Sequence, residues 1–327
     1  MCRKDKPLRI GITCLPHLPE RGSDRMSARE SFCFAIIGAG KVGTALAGLL
    51  TRQGCTLVDV VSRRSFQARE LAERFGGRVC SLEELSGDYD CLFLTVNDDA
   101  LAGLTEQLCA VETLRKTRMI AHTSGVHSAL LLEPLRRRHG CAIVAMHPVA
   151  SITSRQESWQ QLQQAWFTLD GDRTAVERAG RLIESWGGRW CVIESEAKTL
   201  YHAGAVFASN YVWTVLVAAM DLWESIGLSG GQYRHMLITL AHNSLENLAS
   251  AEDVKDALTG PIARADLHTV ERHIERLQHT ARPDLAALYR LLGSVTAGRL
   301  WKSGSRTPVQ MEMLELLRGG CSYETDH

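Results

Sequence analysis

The sequence lacks net charge. Lysine plus arginine and aspartate plus glutamate stand at 37 each in 327 residues, which leaves no overall field to draw in nucleic acid or an anionic membrane and favours a small-molecule partner. It also lacks the cysteine patterns of a stapled or zinc-bound fold. Its 10 cysteines run singly from Cys2 to Cys321, with no CxxC pair and no Cys/His spacing of a zinc site. Reduced thiols, a cytoplasmic location and no metal are therefore expected. Residues 1–30 have no continuous apolar core of a signal peptide. They read as a loose extension, and Met26, just ahead of the first strand pattern, is an alternative start. Long hydrophobic runs are scarce as well. Ala203 to Met220 is uncharged and just reaches the lower limit for crossing a bilayer. Ser209, Asn210 and Thr214 interrupt it, so a buried helix is expected there rather than a membrane span.

What is present is alternation. The length suggests about two domains, and from Ser31 to Glu194 short β-branched runs alternate with amphipathic stretches, the pattern of parallel βαβ units. Strands are expected at Phe34–Ile37, Thr56–Val61, Cys91–Val96, Arg118–His122, Ala142–Met146, Trp166–Leu169 and Arg189–Ile193. Helices are expected at Lys41–Gln53, Ser65–Phe75, Ser128–His139 and Arg173–Trp186. After Ser195 strand signals almost vanish. In "HTVERHIERL" the residues Leu267, Val270, Ile274 and Leu277 share one helical face. The expected fold class is therefore α/β: a Rossmann dinucleotide-binding domain over 31–194, then an all-α domain over 195–327.

Gly38, Gly40 and Gly43 form GxGxxG directly after one strand and before one helix. Glycines there let the backbone turn tightly and approach a pyrophosphate, which then sits on the helix N-terminus. Lys41 and Val42 open that helix, and Val96 and Asn97 close the strand beginning at Cys91; all are candidate cofactor contacts. An NAD site usually carries an acidic residue about 20 residues beyond the glycines. Here Ser62, Arg63 and Arg64 occupy that place, while Asp59 lies inside the strand and is expected to point away from the ribose. Two guanidiniums and a hydroxyl suit a 2′-phosphate, so NADP(H) is the expected cofactor. Two solvated arginines on a turn are the competing reading.

The segments "IIGAGKVGTALA", "DYDCLFLTVNDDAL", "HTSG", "MHP", "KTLYHAGAVFASNY" and "LTGPIARAD" together resemble Rossmann-like proteins with a C-terminal domain of unknown function. More distantly the layout is similar to ketopantoate reductase, pyrroline-5-carboxylate reductase, prephenate dehydrogenase and the 6-phosphogluconate dehydrogenase superfamily. The likeness runs from Ser31 to Gly293. It implies a helical domain that often dimerises and a substrate held between the domains. Two positions depart from the pattern: Asn97 stands where relatives generally have proline, and Ala265 where glycine is usual.

Loops after parallel strands are where ligands bind. Thr123, Ser124 and Gly125 are candidates for holding a substrate carboxylate, with a helix cap as the plain alternative. His147 is a candidate for lining the cleft, against a structural role. Lys198, His202 and Ser209 fall on one arc of a helix, with Asn210 at its edge. A lysine followed by a polar residue one turn later resembles the hydroxyacid-dehydrogenase and ketopantoate-reductase pattern, where the lysine donates the proton. That resemblance implies Lys198 as proton donor, aided by His202 or Asn210. Arg264 is a candidate carboxylate ligand or a surface residue, and Asp266 an N-cap. His268, His273 and His279 have no metal-ligand spacing. The functional expectation is an NADPH-dependent reduction of a small carboxylate-bearing carbonyl substrate, a 2-oxo acid above all. Imine reduction and a non-catalytic NADP(H) sensor are the alternatives, and the uncharged helix points to a homodimer.

Overall fold

The computed structural model describes residues 32–155 and 159–319; the N-terminal extension and Met26 lie outside them. The chain divides at Ser209/Asn210 into two compact units, later than the expected 194/195 boundary.

The first unit runs β1 (Cys33–Ile37), α1 (Lys41–Arg52), β2 (Thr56–Val61), α2 (Ser65–Phe75), β3 (Arg78–Val79), β4 (Cys91–Leu94), α3 (Asp98–Leu108), β5 (Met119–His122), α4 (Glu133–His139), β6 (Ala142–Val149), α5 (Trp159–Gln163), β7 (Trp166–Gly171), α6 (Arg173–Ser185), β8 (Arg189–Val192) and α7 (Lys198–Ala208). The strands form one sheet in the order β3-β2-β1-β4-β5-β6-β7-β8. From β3 through β6 every pairing is parallel, and the order reverses between β1 and β4, the switch point at which open α/β sheets bind ligands. The parallel reading fails at one place: β7 runs antiparallel to β6. A parallel return needs a crossover over the sheet, and among the described residues the connection between these strands carries just the short α5, which packs on α1. The two-residue edge strand β3 is too short to show as a pattern.

Alternation along the strands separates two cores. Phe34, Ile36, Phe93, Met119, Val144, Met146, Phe167 and Leu169 face one helical layer. Ala35, Ile37, Leu92, Leu94, Ile120 and Ile143 face the other. The expected helix from Ser128 starts instead as a 3-10 turn, Ala129–Leu132, and becomes α-helical at Glu133. Pro134 explains the break, because a proline is tolerated in a first turn and not inside a helix.

The second unit is helical: α8 (Asn210–Ser225), α9 (Gly231–Ser250), α10 (Leu267–Gln278), α11 (Pro283–Leu300) and α12 (Pro308–Arg318). Val270 and Ile274 on the expected face of α10 pack with Ala297, Trp301, Met313, Leu314 and Leu317, and Asp266 caps α10 through Thr269 N and Oγ1. The apolar run from Ala203 behaves otherwise than expected. It is broken at Ser209 (φ −125°, ψ −69°), and no residue of α8 is buried; Trp213 is 66% exposed. The stretch from Ser195 to Ser225 is long and apolar enough to cross a membrane by composition alone. Ser, Asn and Thr interrupt it, but they do not bury it.

Ala265 is the only non-glycine residue with positive φ among the described residues (φ 53°). The resemblance implies glycine at this position, and an L-residue with positive φ costs roughly 1 to 2 kcal/mol. Glycine regains that strain but gives back about 0.4 to 1 kcal/mol of unfolded-chain entropy. Ala265→Gly is therefore expected to raise unfolding free energy by about 0.5 to 1 kcal/mol. The urea midpoint at constant m-value measures it, and an unchanged or lower midpoint contradicts it.

Candidate functional site

The glycine motif occupies the carboxyl end of β1. Gly38 adopts φ +112°, and a Cβ on it would sit 2.7 Å from the Thr95 carbonyl. Gly43 lies so close to Gly38 O and Thr95 Oγ1 that no side chain fits. Thr95 Oγ1 closes this corner by donating to Gly38 O at 2.6 Å. Gly40, by contrast, has nothing within 4 Å of where its Cβ would be. It caps α1 without any side-chain bond, and no acidic residue stands in the first turn. Two glycines thus serve packing, and the third leaves the N-terminus of α1 open to an anion. Lys41 is exposed and Val42 half-buried beside it. Val96 is half-buried at the end of β4, and Asn97 is exposed as the N-cap of α3, with its side chain making no cap bond.

At the end of β2, Arg63 and Arg64 are exposed, and Ser62 Oγ accepts from Arg64 N at 3.3 Å. Asp59 is buried and fully engaged. Its carboxylate accepts from Arg78 Nε at 2.9 Å, Ser86 N at 2.8 Å and Tyr89 OH at 2.5 Å. Burial raises its pKa, but these bonds outweigh burial and hold the carboxyl below its usual range. The same partnership, with burial, pushes Tyr89 up to about 12. Asp59 is thus a tie between β2, β3 and the following loop.

A second group of residues gathers where the lower face of the sheet turns polar. On β5, β6 and β7 the apolar alternation gives way to His122, His147, Thr168 and Asp170, with His147 opposite Thr168 and Ala145 opposite Asp170 in the ladder. Helix α7 lies over this stretch. Asp170 anchors it, accepting from Ala129 N and from Ser195 Oγ, both at 2.9 Å. His147 Nδ1 meets Tyr201 OH at 2.9 Å, and the His147 ring stands edge-on to both Tyr201 and His202, with centroids 5.8 Å away in each case. Gly125 completes the group: a Cβ there would sit 2.8 Å from His147 Nε2 and would collide with His202 Nδ1.

Lys198 opens α7 and is 1% exposed. Among the described residues its ammonium has no hydrogen-bond or ion-pair partner. Burial lowers its pKa below 10.5, and the more distant carboxylates of Asp170 and Asp98 only partly offset this. Such an amine is poised to give up or take a proton.

The strand-end residues divide by role. Ser124 Oγ accepts from Val126 N and His127 N at 3.2 and 3.0 Å, so its acceptor side is spent on the turn, as in the cap reading. Thr123 N bonds to Leu94 O. His122, fully buried, accepts at Nδ1 from Ser124 N, which leaves Nε2 to donate to Ser128 O. Ser209 and Asn210 do not extend the Lys198 arc: α7 ends at Ala208, Ser209 Oγ donates back to Ala205 O, and Asn210 begins α8 in the second unit. Arg264 is exposed in the second unit. Sequence reasoning missed Asp170, Tyr201 and His122. For Asp170 the signal was the polar alternation in "WFTLDG", since a strand buried apolar on both faces reads as continuous apolar residues; His122 and Tyr201 carry no comparable local signal.

Residues 17–148 match the model of a Rossmann-like domain, and residues 165–296 match that of a domain of unknown function, DUF2520. The chain joins a Rossmann-like domain to a DUF2520 domain. Among solved structures this Rossmann-like/DUF2520 chain is similar to a candidate NADP oxidoreductase of Bacteroides fragilis, 22% identical over 81% of this chain and 98% of that one, with a TM-score of 0.66. It is also similar to a protein of Thermotoga maritima, 22% identical, TM-score 0.63, covering 87% and 99% of the two chains. A pyrroline carboxylate reductase of Plasmodium falciparum, solved with NADP bound, is 14% identical with a TM-score of 0.54, over 82% and 99%. At these identities the likeness is one of fold. A glutamyl-tRNA reductase of Oceanobacillus iheyensis is 33% identical over 89 residues, 26% of this chain. The chain spans 20% of that relative's length.

Burial pushes His122 and His147 down to about 4 each; for His147 the nearby Lys198 and His202 add to the effect. An unfolded imidazole titrates near 6.5, so between pH 6.5 and 4 the unfolded chain binds more protons than the folded one. Stability is therefore expected to be full above pH 6.5, to fall as pH drops toward 4, and to lose at most roughly 3 kcal/mol per imidazole. Urea unfolding across that range should show a shallower loss in His147→Gln than in the wild type. Equal slopes remove His147 from the effect.

Proposed function

We propose that the protein is an NADP(H)-dependent oxidoreductase that reduces the carbonyl of a small carboxylate-bearing substrate, a 2-oxo acid as the specific case. The observation that carries the reading is Lys198, buried and without a hydrogen-bond or ion-pair partner among the described residues, in a group with His147, His202 and Gly125 where strands β5 and β6 end. The cofactor part rests on the open cradle at Gly40, the N-terminus of α1, the exposed Arg63 and Arg64, and an Asp59 already committed elsewhere. Gly38, Gly40, Lys41 and Val42 would hold the pyrophosphate, Ser62, Arg63 and Arg64 the 2′-phosphate, and Val96 and Asn97 the far side. Bound there, NADPH supplies a hydride for the substrate carbon. The chain's own part is to hold a proton on Lys198 Nζ for the oxygen and to keep water away by burial. Thr123 and the Gly125 backbone are proposed to bind the carboxylate, with Ser209 as a further polar contact.

Imine reduction is the second reading, favoured by the likeness in fold to pyrroline carboxylate reductase. A protonated imine carries its own proton, so it asks less of Lys198. Retention of the nucleotide cradle without turnover would be the mark of a sensor, because fold does not settle function.

One kinetic experiment separates these. NADPH is expected to bind more tightly than NADH, and Arg63→Ala/Arg64→Ala to erase the difference; equal wild-type affinities overturn the NADP(H) assignment. In a screen of 2-oxo acids and cyclic imines, Lys198→Ala is expected to lower turnover on oxo acids by about a hundredfold or more while leaving NADPH affinity unchanged. Lys198→Arg is also expected to be slow, since guanidinium does not release its proton. The rate should fall as pH rises through the lowered lysine pKa. Near-wild-type turnover of Lys198→Ala on oxo acids removes the lysine from the mechanism, and turnover of cyclic imines that Lys198→Ala leaves near the wild-type rate favours the imine reading.

The exposed apolar faces of α8 and α9, including Trp213, Leu240 and Leu245, are assigned to contact with a second copy of the chain. Light scattering over a dilution series is expected to give twice the chain mass, and a monomer at micromolar concentration rejects the assignment.

A further inference from the structure

Two imidazole nitrogens converge on Gly125. His147 Nε2 and His202 Nδ1 both crowd the point where a side chain of residue 125 would begin, so glycine is the residue that lets them approach the strand-end backbone together. Their surroundings differ. The other nitrogen of His147 is engaged by Tyr201 OH at 2.9 Å. His202 Nδ1 is sealed from solvent and has no hydrogen-bond partner among the described residues.

The hydrogens can be assigned from these contacts. Burial raises the Tyr201 phenol and lowers His147 to about 4, so both are neutral near pH 7 and one hydrogen lies between them. A phenol is the better donor and an imidazole nitrogen the better acceptor, so Tyr201 donates to Nδ1 and the ring carries its hydrogen on Nε2. For His202 the cheaper buried orphan at Nδ1 is a bare lone pair, because an unpaired N–H is the rarer and costlier case. One nitrogen beside Gly125 is then a donor and the other an acceptor.

We propose that Gly125, His147 and His202 form a hydroxyl-recognition point, with Tyr201 as the positioning residue that fixes the donor tautomer of His147. The group that satisfies both nitrogens offers a lone pair to His147 Nε2–H and a hydrogen to His202 Nδ1, which an alcohol does and a carboxylate or ketone oxygen does not. The inference deepens the reductase reading and rests on its placing the substrate at this surface: the substrate class narrows to small acids that carry a hydroxyl. Lys198 remains the only nearby group assigned to proton donation. Lys198, His202 and Tyr201 on α7 and Asp98 on α3 are the titratable groups facing His147.

Long-range proton–nitrogen NMR of the nitrogen-labelled full chain at pH 7 tests it, with glycolate and acetate as probes. His147 is expected to show a protonated Nε2 and a bare Nδ1, and Tyr201→Phe to replace this with a tautomer mixture while the fold, followed by circular dichroism, persists. Glycolate is expected to shift the His147 and His202 nitrogens and to bind on the order of tenfold more tightly than acetate. A hydrogen on His147 Nδ1 in the wild type overturns the proposal even if Tyr201→Phe fails to fold. Equal shifts and affinities for the two acids overturn it as well. Neither NADPH binding nor turnover is read, so the reductase assignment can fail while these nitrogen signals still decide.

Discussion

The arrangement over the sheet depends on one buried carboxylate. Asp170 receives the backbone N–H that opens the turn at Ala129 and the hydroxyl of Ser195 just after β8. It therefore joins the segment following β5 to the segment leading into α7. Hydrogen bonds to a charged acceptor are each worth about 1.5 to 3 kcal/mol net, enough to fix where α7 starts. Once that start is fixed, helix geometry does the rest: Lys198, Tyr201 and His202 stand three and four residues apart and share one face. The antiparallel β7 makes this possible, because its register sets Asp170 beside Ala145 and Thr168 beside His147 on the same side of the sheet.

The opposite end of the sheet shows the same economy at Asp59. A carboxylate near the end of the second strand is what an NAD ribose requires, and the sequence has one there. Three donors from Arg78, Ser86 and Tyr89 claim it. It consequently holds the edge of the sheet, and the positions that reach solvent at this end are filled by Arg63 and Arg64. Composition alone could not decide between these uses. The deciding factor is the set of donors that the edge strand β3 and the loop after it bring to Asp59.

Much of the first unit was legible because its signals are local and periodic. Strands β1, β2 and α2 fall where apolar alternation and helical spacing place them, and the GxGxxG glycines sit at the turn their residue type demands. What escaped were features set by partners distant in sequence. The direction of β7 depends on how its connection crosses the sheet, not on its own residues. Ser209 lay on the Lys198 arc only if the helix continued, and a break in backbone angles at that residue removes it. Tyr201 was passed over although it lies inside the quoted motif, because a tyrosine at helical spacing reads as packing until its hydroxyl is seen against His147. Ala265 marks a further limit: the resemblance singled it out as a departure from glycine, and its left-handed backbone became visible only in the structure.

The burial of the two units differs for a physical reason that bears on the site. The sheet covers both faces of its strands with its own helices and fills two cores without outside help. Among the described residues the second unit has two small cores, one around Val270, Ile274 and Trp301 and one around Leu277, Leu285 and Ala286, while no residue of α8 is fully buried and α9 buries only Leu237. A lysine withdrawn from water survives only on a rigid support, because any local opening would hydrate it and restore its ordinary basicity. Lys198 obtains that support from the self-sufficient unit, through Asp170 and the strands beneath it.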